Sequence, residues 1–283
     1  GGGGDVEWSE IRPLLEEILE PWPACSGPLQ EAIPPRMRRE GGGFLIPREL
    51  GQSTVVMAQP GGIVRGASPE YFASRIGNTI LGAGGFTSRL LTRVRTREGY
   101  AYSASSLWTT PSRWEGIVGA ITRTKGESTI AAIRLILDTF QEMRLRPPSE
   151  EEIRRAVDQT VNGFVFNFQE PAQIVSRQMF YQALGMPEDW LQSYVDGIQE
   201  VRPEEIQQVF RENVDPEAMV ILILGDPESF DEPPGVLGEV QIWDVDDAER
   251  GRGSANAHVQ GGDSPTQVPP LGLPKSGLPH HLR

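Results

Sequence analysis

The stretch from Gly82 to Ser106 concentrates the residues of this sequence that are suited to polar chemistry. A glycine cluster is followed by an arginine-rich segment, then by another glycine and a segment that carries tyrosines. Arg95 and Tyr102 lie seven positions apart, so a helix-to-strand turn between them can bring a guanidinium and a phenol hydroxyl into the same space. Such a pair can donate hydrogen bonds to a carbonyl oxygen or an oxyanion. The residues alone leave open a second interpretation, in which Arg95 caps a helix and Tyr102 packs in the core.

Other kinds of catalytic or metal site have no support in the sequence. Neither H-E-x-x-H nor H-x-x-E-H occurs, and there is no G-x-S-x-G motif and no P-loop. The three histidines are His258, His280 and His281, all in a terminal segment rich in Gly, Pro and Ser. The single cysteine, Cys25, can form neither an internal disulfide nor a cysteine-based zinc site. The sequence therefore predicts no metal ligands in this chain.

Composition narrows the range of partners. The chain has 283 residues, 38% of them hydrophobic, and a formal net charge of -13. An acidic chain repels phosphate backbones, so nucleic acid is not an expected partner. No run of 18 apolar residues occurs, so a membrane is not expected either. The cellular compartment stays open.

The pattern of hydrophobic residues predicts an α+β domain with an antiparallel-rich sheet and helices packed on one face of it. Strands and helices occur in blocks rather than in strict alternation. A helix should begin at Ser68-Pro69-Glu70 and another at the Ser149/Glu152 capping box. Strands are predicted at 43–46, 54–59, 100–108, 114–122 and 218–224. Further helices are predicted from Thr87 or Ser88 and over 126–144, 172–184, 188–197 and 203–212.

Helical and strand spacing also predicts which side chains share a face around the polar stretch. Four-residue spacing places Arg89, Arg93 and Arg97 on one helix face and separates Arg95 from them. The same spacing predicts a common face for Phe86, Leu90 and Val94, and strand alternation predicts one for Tyr100, Tyr102, Ala104 and Ser106.

The polar stretch resembles the signature of the second half of pitrilysin/insulinase-type zinc metallopeptidases. The similarity is closest to the short, two-half forms related to mitochondrial processing peptidase. The family pattern is a glycine-rich turn, Ser-Arg-Leu, then Arg, three variable residues, Gly, a hydrophobic residue, Ala, Tyr and Ser. It is matched here by Gly84-Gly85-Phe86-Thr87-Ser88-Arg89-Leu90 and by Arg95 through Ser103.

This resemblance implies a role for each matching position. In the family the first half binds zinc through H-x-x-E-H and a distant Glu, and nothing in this chain matches those positions. The second half supplies an Arg and a Tyr that reach the substrate, and these correspond to Arg95 and Tyr102. The resemblance further implies substrate contacts from Gly84, Gly85, Ser88 and Arg89. Zinc is expected in a partner half and no cofactor in this chain.

The resemblance also suggests how the chain is divided. Residues 1–22 are predicted to be the end of a preceding half-domain, because Gly4-Asp5-Val6-Glu7 is echoed by Gly225-Asp226-Pro227-Glu228. Residues 23–42 are predicted to be a linker and residues 43–247 the peptidase-like domain. Residues 248–283 are predicted to be a disordered tail.

The expected function is that of the non-zinc, substrate-contacting half of a zinc metalloendopeptidase. It would hydrolyse peptides together with a zinc-bearing half or subunit, and the chain alone is predicted to be inactive. The alternative is a non-catalytic relative used for assembly, as the core subunits of a respiratory complex resemble these peptidases. Because fold-level similarity does not establish function, the Arg95/Tyr102 pair distinguishes the two: an assembly protein has no need of both.

Overall fold

The computed structural model describes residues 5, 7–23, 27 and 33–243. The chain divides into two units, Gly1–Trp243 and Asp244–Arg283, and the second lies outside the described residues. The predicted tail at 248–283, its three histidines and Cys25 therefore fall outside them as well, as do residues 24–26 and 28–32 of the predicted linker. Within the described part, no helix is both long and apolar enough to cross a bilayer.

One six-stranded mixed sheet forms the centre of the first unit. The strand order is β3-β4-β2-β5-β1-β6. The β3–β4, β4–β2 and β2–β5 pairs are antiparallel, whereas β1 runs parallel to both β5 and β6. The strands are β1 (Gly42–Pro47), β2 (Gln52–Pro60), β3 (Ala101–Trp108), β4 (Ile117–Lys125), β5 (Val220–Gly225) and β6 (Val240–Ile242).

Alternation along the strands separates a covered face of the sheet from an open one. In β2, Ser53, Val55 and Met57 are buried, while the residues between them are only partly buried. This period of two is the pattern expected when one face of a sheet packs against a core and the other does not. Burial of an apolar side chain such as Val55 contributes roughly 1.5–3 kcal/mol, so the hydrophobic pattern fixes which face turns inward.

Helices cover the buried face. α2 and α3 both contact α7, and α2 also contacts α4 and α6. Phe140 and Phe210, with no exposed surface, are among the largest side chains of the core between helices and sheet. The helices are α1 (Trp8–Leu19), α2 (Pro69–Asn78), α3 (Thr129–Leu145), α4 (Glu150–Val165), α5 (Pro171–Ala183), α6 (Trp190–Gln199) and α7 (Pro203–Asn213).

Two helices begin with the capping hydrogen bonds that the sequence predicts. The Ser68 side chain accepts a hydrogen bond from the Tyr71 N–H, and Pro69 occupies the first turn of α2. At α4, the Ser149 side chain accepts from the Glu152 N–H, and the Glu152 carboxylate accepts from the Ser149 N–H. Caps of this kind are worth about 1 kcal/mol each, and both act within four residues.

The predicted α+β class is confirmed, with several local differences. β4 begins at Ile117 rather than at 114, because residues 111–116 form the connection from β3. β6 was not predicted, because three residues carry too little periodicity to mark a strand. The predicted boundaries at 1–22, 23–42 and 43–247 remain predictions. α1 lies in the first of these segments and has no buried residue.

Candidate functional site

The glycine-rich turn follows α2 without a break. Residues Thr79–Ala83 form a π-helical turn, which ends where the Gly84 N–H donates to the Thr79 carbonyl oxygen at 2.9 Å. A Cβ at Gly84 would lie 2.5 Å from that same oxygen, so only glycine fits there. Gly85 has a φ of 66°, a left-handed conformation that favours glycine. Gly84 is thus required by a close backbone contact and Gly85 by its left-handed conformation.

The Ser88 side chain is used inside this turn. Its hydroxyl donates to the Gly85 carbonyl oxygen at 2.7 Å, and the residue is only 1% exposed. The Ser88 carbonyl oxygen accepts from the Thr92 N–H at 3.0 Å, so the residue also begins the following helical segment. The hydroxyl and the carbonyl oxygen of Ser88 are therefore both used in hydrogen bonds within this segment.

The Arg89 guanidinium is likewise held by the protein itself. Its Nε and Nη2 atoms donate to the two carboxylate oxygens of Glu152 at 2.7 and 2.9 Å. Burial by itself would raise the pKa of Glu152, but the hydrogen bonds from Arg89 and Ser149 outweigh it and lower that pKa to about 2. The Arg89 side chain is 14% exposed. The pair therefore ties the turn to the start of α4.

The arginine-rich segment is a π-helical run, Leu91–Arg97, rather than a regular α-helix. Arg93 pairs with Glu142 of α3, to which Arg89 also comes within 3.9 Å. Arg97 is exposed, so the predicted common face of three arginines holds for two of them. Short π-helical segments occur frequently at functional sites, and this chain has one on each side of the glycine turn.

A β-bulge at the start of β3 sets the direction of Tyr102. Ala101 pairs with Thr124 and Ser103 with the adjacent Arg123, which leaves Tyr102 as the extra residue. The prediction that Tyr102 shares a face with Ala104 and Ser106 is therefore wrong. Ala104 and Ser106 are buried, whereas Tyr102 is 75% exposed. A bulge re-aims a side chain in this way because the inserted residue reverses the alternation.

The structure brings Arg95 and Tyr102 together and adds an aromatic residue that the sequence interpretation misplaced. The Arg95 Cζ atom lies 5.2 Å from the centroid of the Tyr102 ring and 5.3 Å from that of the Phe86 ring. Phe86 was predicted to share a face with Leu90 and Val94, but those two are buried and Phe86 is 76% exposed. It lies in a 3-10 turn, Gly85–Thr87, before the helical segment begins. The sequence feature that could have shown this is Ser88, which lies two residues after Phe86 and begins the helical segment.

We call Phe86, Arg95 and Tyr102 the Arg95 cluster. A guanidinium over an aromatic face is stabilised by about 0.5–1 kcal/mol at an exposed site. Stacking uses the flat face of the cation and leaves its N–H donors at the edge. Within the described part of the chain, neither the Arg95 guanidinium nor the Tyr102 hydroxyl has a hydrogen-bond or ion-pair partner. The cluster thus presents an arginine and a phenol donor to the outside of the molecule.

The described residues do not fit a zinc ion. No group of three or more His, Cys, Asp or Glu side chains among them is arranged to hold a metal. A catalytic zinc requires three protein ligands and an open position.

Comparisons with known proteins identify the family of this chain. The family model described as "Peptidase M16 inactive domain" matches residues 2–160, which include the Arg95 cluster. An uncharacterised zinc protease of Streptomyces coelicolor is 25% identical over 179 residues, covering 62% of this chain and 38% of the relative.

Solved structures share the fold. A peptidase M16 inactive domain from Pseudomonas fluorescens aligns with a TM-score of 0.69 and 25% identity, covering 79% of this chain and 52% of the other. A chain of complex III2 from Candida albicans aligns with a TM-score of 0.54 and 16% identity, covering 65% and 46%. The chain thus spans about two fifths to half the length of these proteins. It belongs to the peptidase M16 inactive domain family, and the resemblance to pitrilysin/insulinase-type peptidases is confirmed.

Proposed function

We propose that this chain is the substrate-contacting half of a zinc metalloendopeptidase and hydrolyses peptides together with a zinc-bearing half or subunit. The observation that carries the proposal is the exposed Arg95 cluster. Tyr102 and Phe86 each keep about three quarters of their surface exposed. Large aromatic side chains contribute most to stability when buried, so the fold itself has little use for either of them in this position.

The local backbone supports the same proposal. A bulge turns Tyr102 outward, and Gly99, with a φ of 66°, ends the π-helical segment that carries Arg95. The Gly84–Gly85 turn holds Phe86 beside that segment. In this proposal, Gly84 and Gly85 supply the backbone of the substrate-contacting turn, while Ser88 and Arg89 keep it in shape.

The chemistry follows from the two donors. When a peptide bond is hydrolysed, negative charge develops on the carbonyl oxygen, and a hydrogen bond aimed at it strengthens as the charge grows. Tyr102 is suited to this role because its hydroxyl is an exposed donor. Arg95 is suited to holding backbone carbonyl groups of the substrate, because its donors have a fixed planar geometry. The zinc ion of the partner half would supply the Lewis acid.

The test is reconstitution with a zinc-bearing half, identified by an H-x-x-E-H motif encoded upstream of this chain or in an adjacent reading frame. We expect the two polypeptides to co-elute and to cleave a fluorogenic peptide library faster than the zinc half alone. Failure to form a complex, or a complex no more active than the zinc half, would overturn the proposal.

Point variants then separate the role of the cluster from that of the fold. Tyr102→Phe should lower kcat by about 10²-fold, the usual effect of losing one oxyanion donor. Tyr100→Phe is the matched control, since it removes a phenol hydroxyl two residues away and outside the cluster. Equal kcat/KM values for the two variants, with unchanged melting curves, would assign Tyr102 no part in catalysis.

The alternative is a non-catalytic assembly role, which the fold likeness to a chain of complex III2 favours. An assembly subunit would bind its partner but would tolerate loss of the Tyr102 hydroxyl. Unchanged complex formation by the Tyr102→Phe variant, in an assembly without measurable peptidase activity, is the outcome that would favour it.

A further inference from the structure

A cavity of about 430 Å³ opens between α2, α4, α5 and α6, and no residue of the Arg95 cluster lines it. Its size is within the range of small-molecule sites. Arg65, Arg75 and Arg177 line it, and among the described residues no Asp or Glu does. The chain as a whole carries a net charge of -13, so a cavity whose charged lining residues are all arginines is opposite in sign to the chain as a whole.

Among the described residues, neither Arg65 nor Arg75 has a carboxylate partner of the kind that Arg89 and Arg93 have. Arg89 and Arg93 pair with carboxylates. The Nε atoms of Arg65 and Arg75 are instead buried and have no hydrogen-bond acceptor within the described part of the chain. A buried donor without an acceptor is costly, so the protein itself leaves both guanidinium groups incompletely satisfied.

The hydroxyl of Tyr71 lies close to both charges. Tyr71 is 5% exposed and lines the same cavity. Burial raises its pKa to about 12, although the nearby positive charges of Arg75 and Arg65 act to lower it. The phenol therefore stays protonated at neutral pH and remains a donor beside two guanidinium groups.

Aromatic side chains form part of the remaining wall, next to threonine, glutamine and small residues. Trp190 and Tyr194 line the cavity, and both rings pack against Tyr71, with centroids 6.0 and 6.4 Å away. The Arg65 guanidinium lies 5.7 Å from the centroid of Phe180, which orients it from the α5 side. Rings in these positions favour a ligand with a flat apolar body over a small, fully hydrated anion.

We propose that this cavity binds a carboxylate attached to an aromatic or other apolar body. Arg65 and Arg75 hold the carboxylate, Tyr71 donates a further hydrogen bond, and the aromatic wall covers the body. A free C-terminal residue with an aromatic side chain has this chemistry. The site does not depend on a zinc-bearing half, so it can be tested on the chain alone.

The experiment is isothermal titration of the full chain with three probes. N-acetyl-phenylalanine carries both the carboxylate and the ring, N-acetyl-phenylalaninamide lacks only the charge, and inorganic phosphate lacks the body. We expect the acid to bind with a Kd below about 1 mM, as is usual for a ligand of its size. The amide should bind at least about tenfold more weakly, because charge-assisted hydrogen bonds are the stronger ones.

Variants assign the binding to the cavity. Arg75→Gln should weaken binding of the acid about tenfold and leave that of the amide unchanged. Arg211→Gln, which alters an exposed arginine of α7, is the matched control and should bind as the unmodified chain does. If Arg75→Gln does not fold, Arg65→Gln takes its place.

The proposal would be overturned by equal affinity for acid and amide, by no binding of the acid, or by binding of phosphate without the acid. The last would indicate a simple oxyanion site in which the aromatic wall has no part. Normal binding of the acid by both arginine variants, with their folds intact, would place the ligand elsewhere.

Discussion

Replacing Arg89 with methionine is expected to destabilise the domain, because Glu152 would keep its charge in a partly buried position without its bidentate partner. The pKa of Glu152 is lowered from its ordinary value of 4.5 to about 2. A shift of that size corresponds to about 3.4 kcal/mol. Part of it comes from Ser149, which the variant keeps, and the Glu152 side chain is 24% exposed. After allowance for solvent screening, a loss of about 2 kcal/mol is expected.

The assay is thermal and urea unfolding of the isolated chain at neutral pH. For a domain of this size, a loss of about 2 kcal/mol lowers Tm by about 4–8 °C. The matched control is Arg155→Met, which removes an exposed arginine that pairs with Glu151 one turn earlier on α4, at 3.6 Å. That change should cost less than about 0.5 kcal/mol.

The pH dependence provides a second readout of the same pair. The pKa of Glu152 is depressed in the folded state, so the unfolded chain takes up this proton first as the pH falls. The stabilisation is therefore complete above about pH 5 and is lost between about pH 5 and pH 2. Glu152→Gln keeps a capping side chain but removes the charge. The difference in unfolding free energy between wild type and this variant should shrink through that pH range.

Two results would refute this reasoning. One is an Arg89→Met variant that melts within about 1 °C of the wild type. The other is a wild-type-to-Glu152→Gln difference that does not change with pH. If Arg89→Met instead left stability intact and weakened peptide binding in the reconstituted enzyme, the substrate contact implied by the family resemblance would be correct.

Three other predictions concern the site and the metal. In the reconstituted enzyme, Arg95→Ala should raise KM as well as lower kcat, because the guanidinium positions substrate; the exposed Arg97→Ala is its control, and equal kinetics for both variants would contradict the assignment. Gly85→Ala should cost about 1 kcal/mol of stability, because alanine is strained at a positive φ; a Tm within about 1 °C of the wild type would argue against it. The isolated chain, dialysed against trace zinc after chelator treatment, should hold no stoichiometric zinc by metal analysis; one tightly bound ion per chain would disprove the prediction.

The parts of the structure that depend on local interactions could be predicted from the sequence. The Ser68 and Ser149 caps act within four residues, so their identities suffice to mark helix starts. Alternating burial along β2 follows from a period of two in its residues. The approach of Arg95 to Tyr102 was also predictable, because only a short helix-to-strand turn separates them.

Long-range packing decided the rest of the site. Arg89 was expected to contact substrate, yet its guanidinium pairs with Glu152, 63 residues away. No local sequence pattern predicts this pairing, because the pairing depends on how α4 packs beside the glycine turn. The cavity between α2 and α6 has the same origin: its arginines and rings come from distant segments and share no spacing in the sequence.

For Tyr102, the sequence determined that a tyrosine lies close to Arg95. The tertiary structure decided the direction of the Tyr102 side chain. Strand alternation alone predicts that Tyr102 faces the same way as Ala104 and Ser106. The register between β3 and β4 inserts one extra residue at that point and turns the phenol outward. Register is set by pairing with a strand formed some twenty residues later and by the burial of Ala101 and Ala104 together. A bulge is thus a property of two strands, which the residues of one strand do not specify.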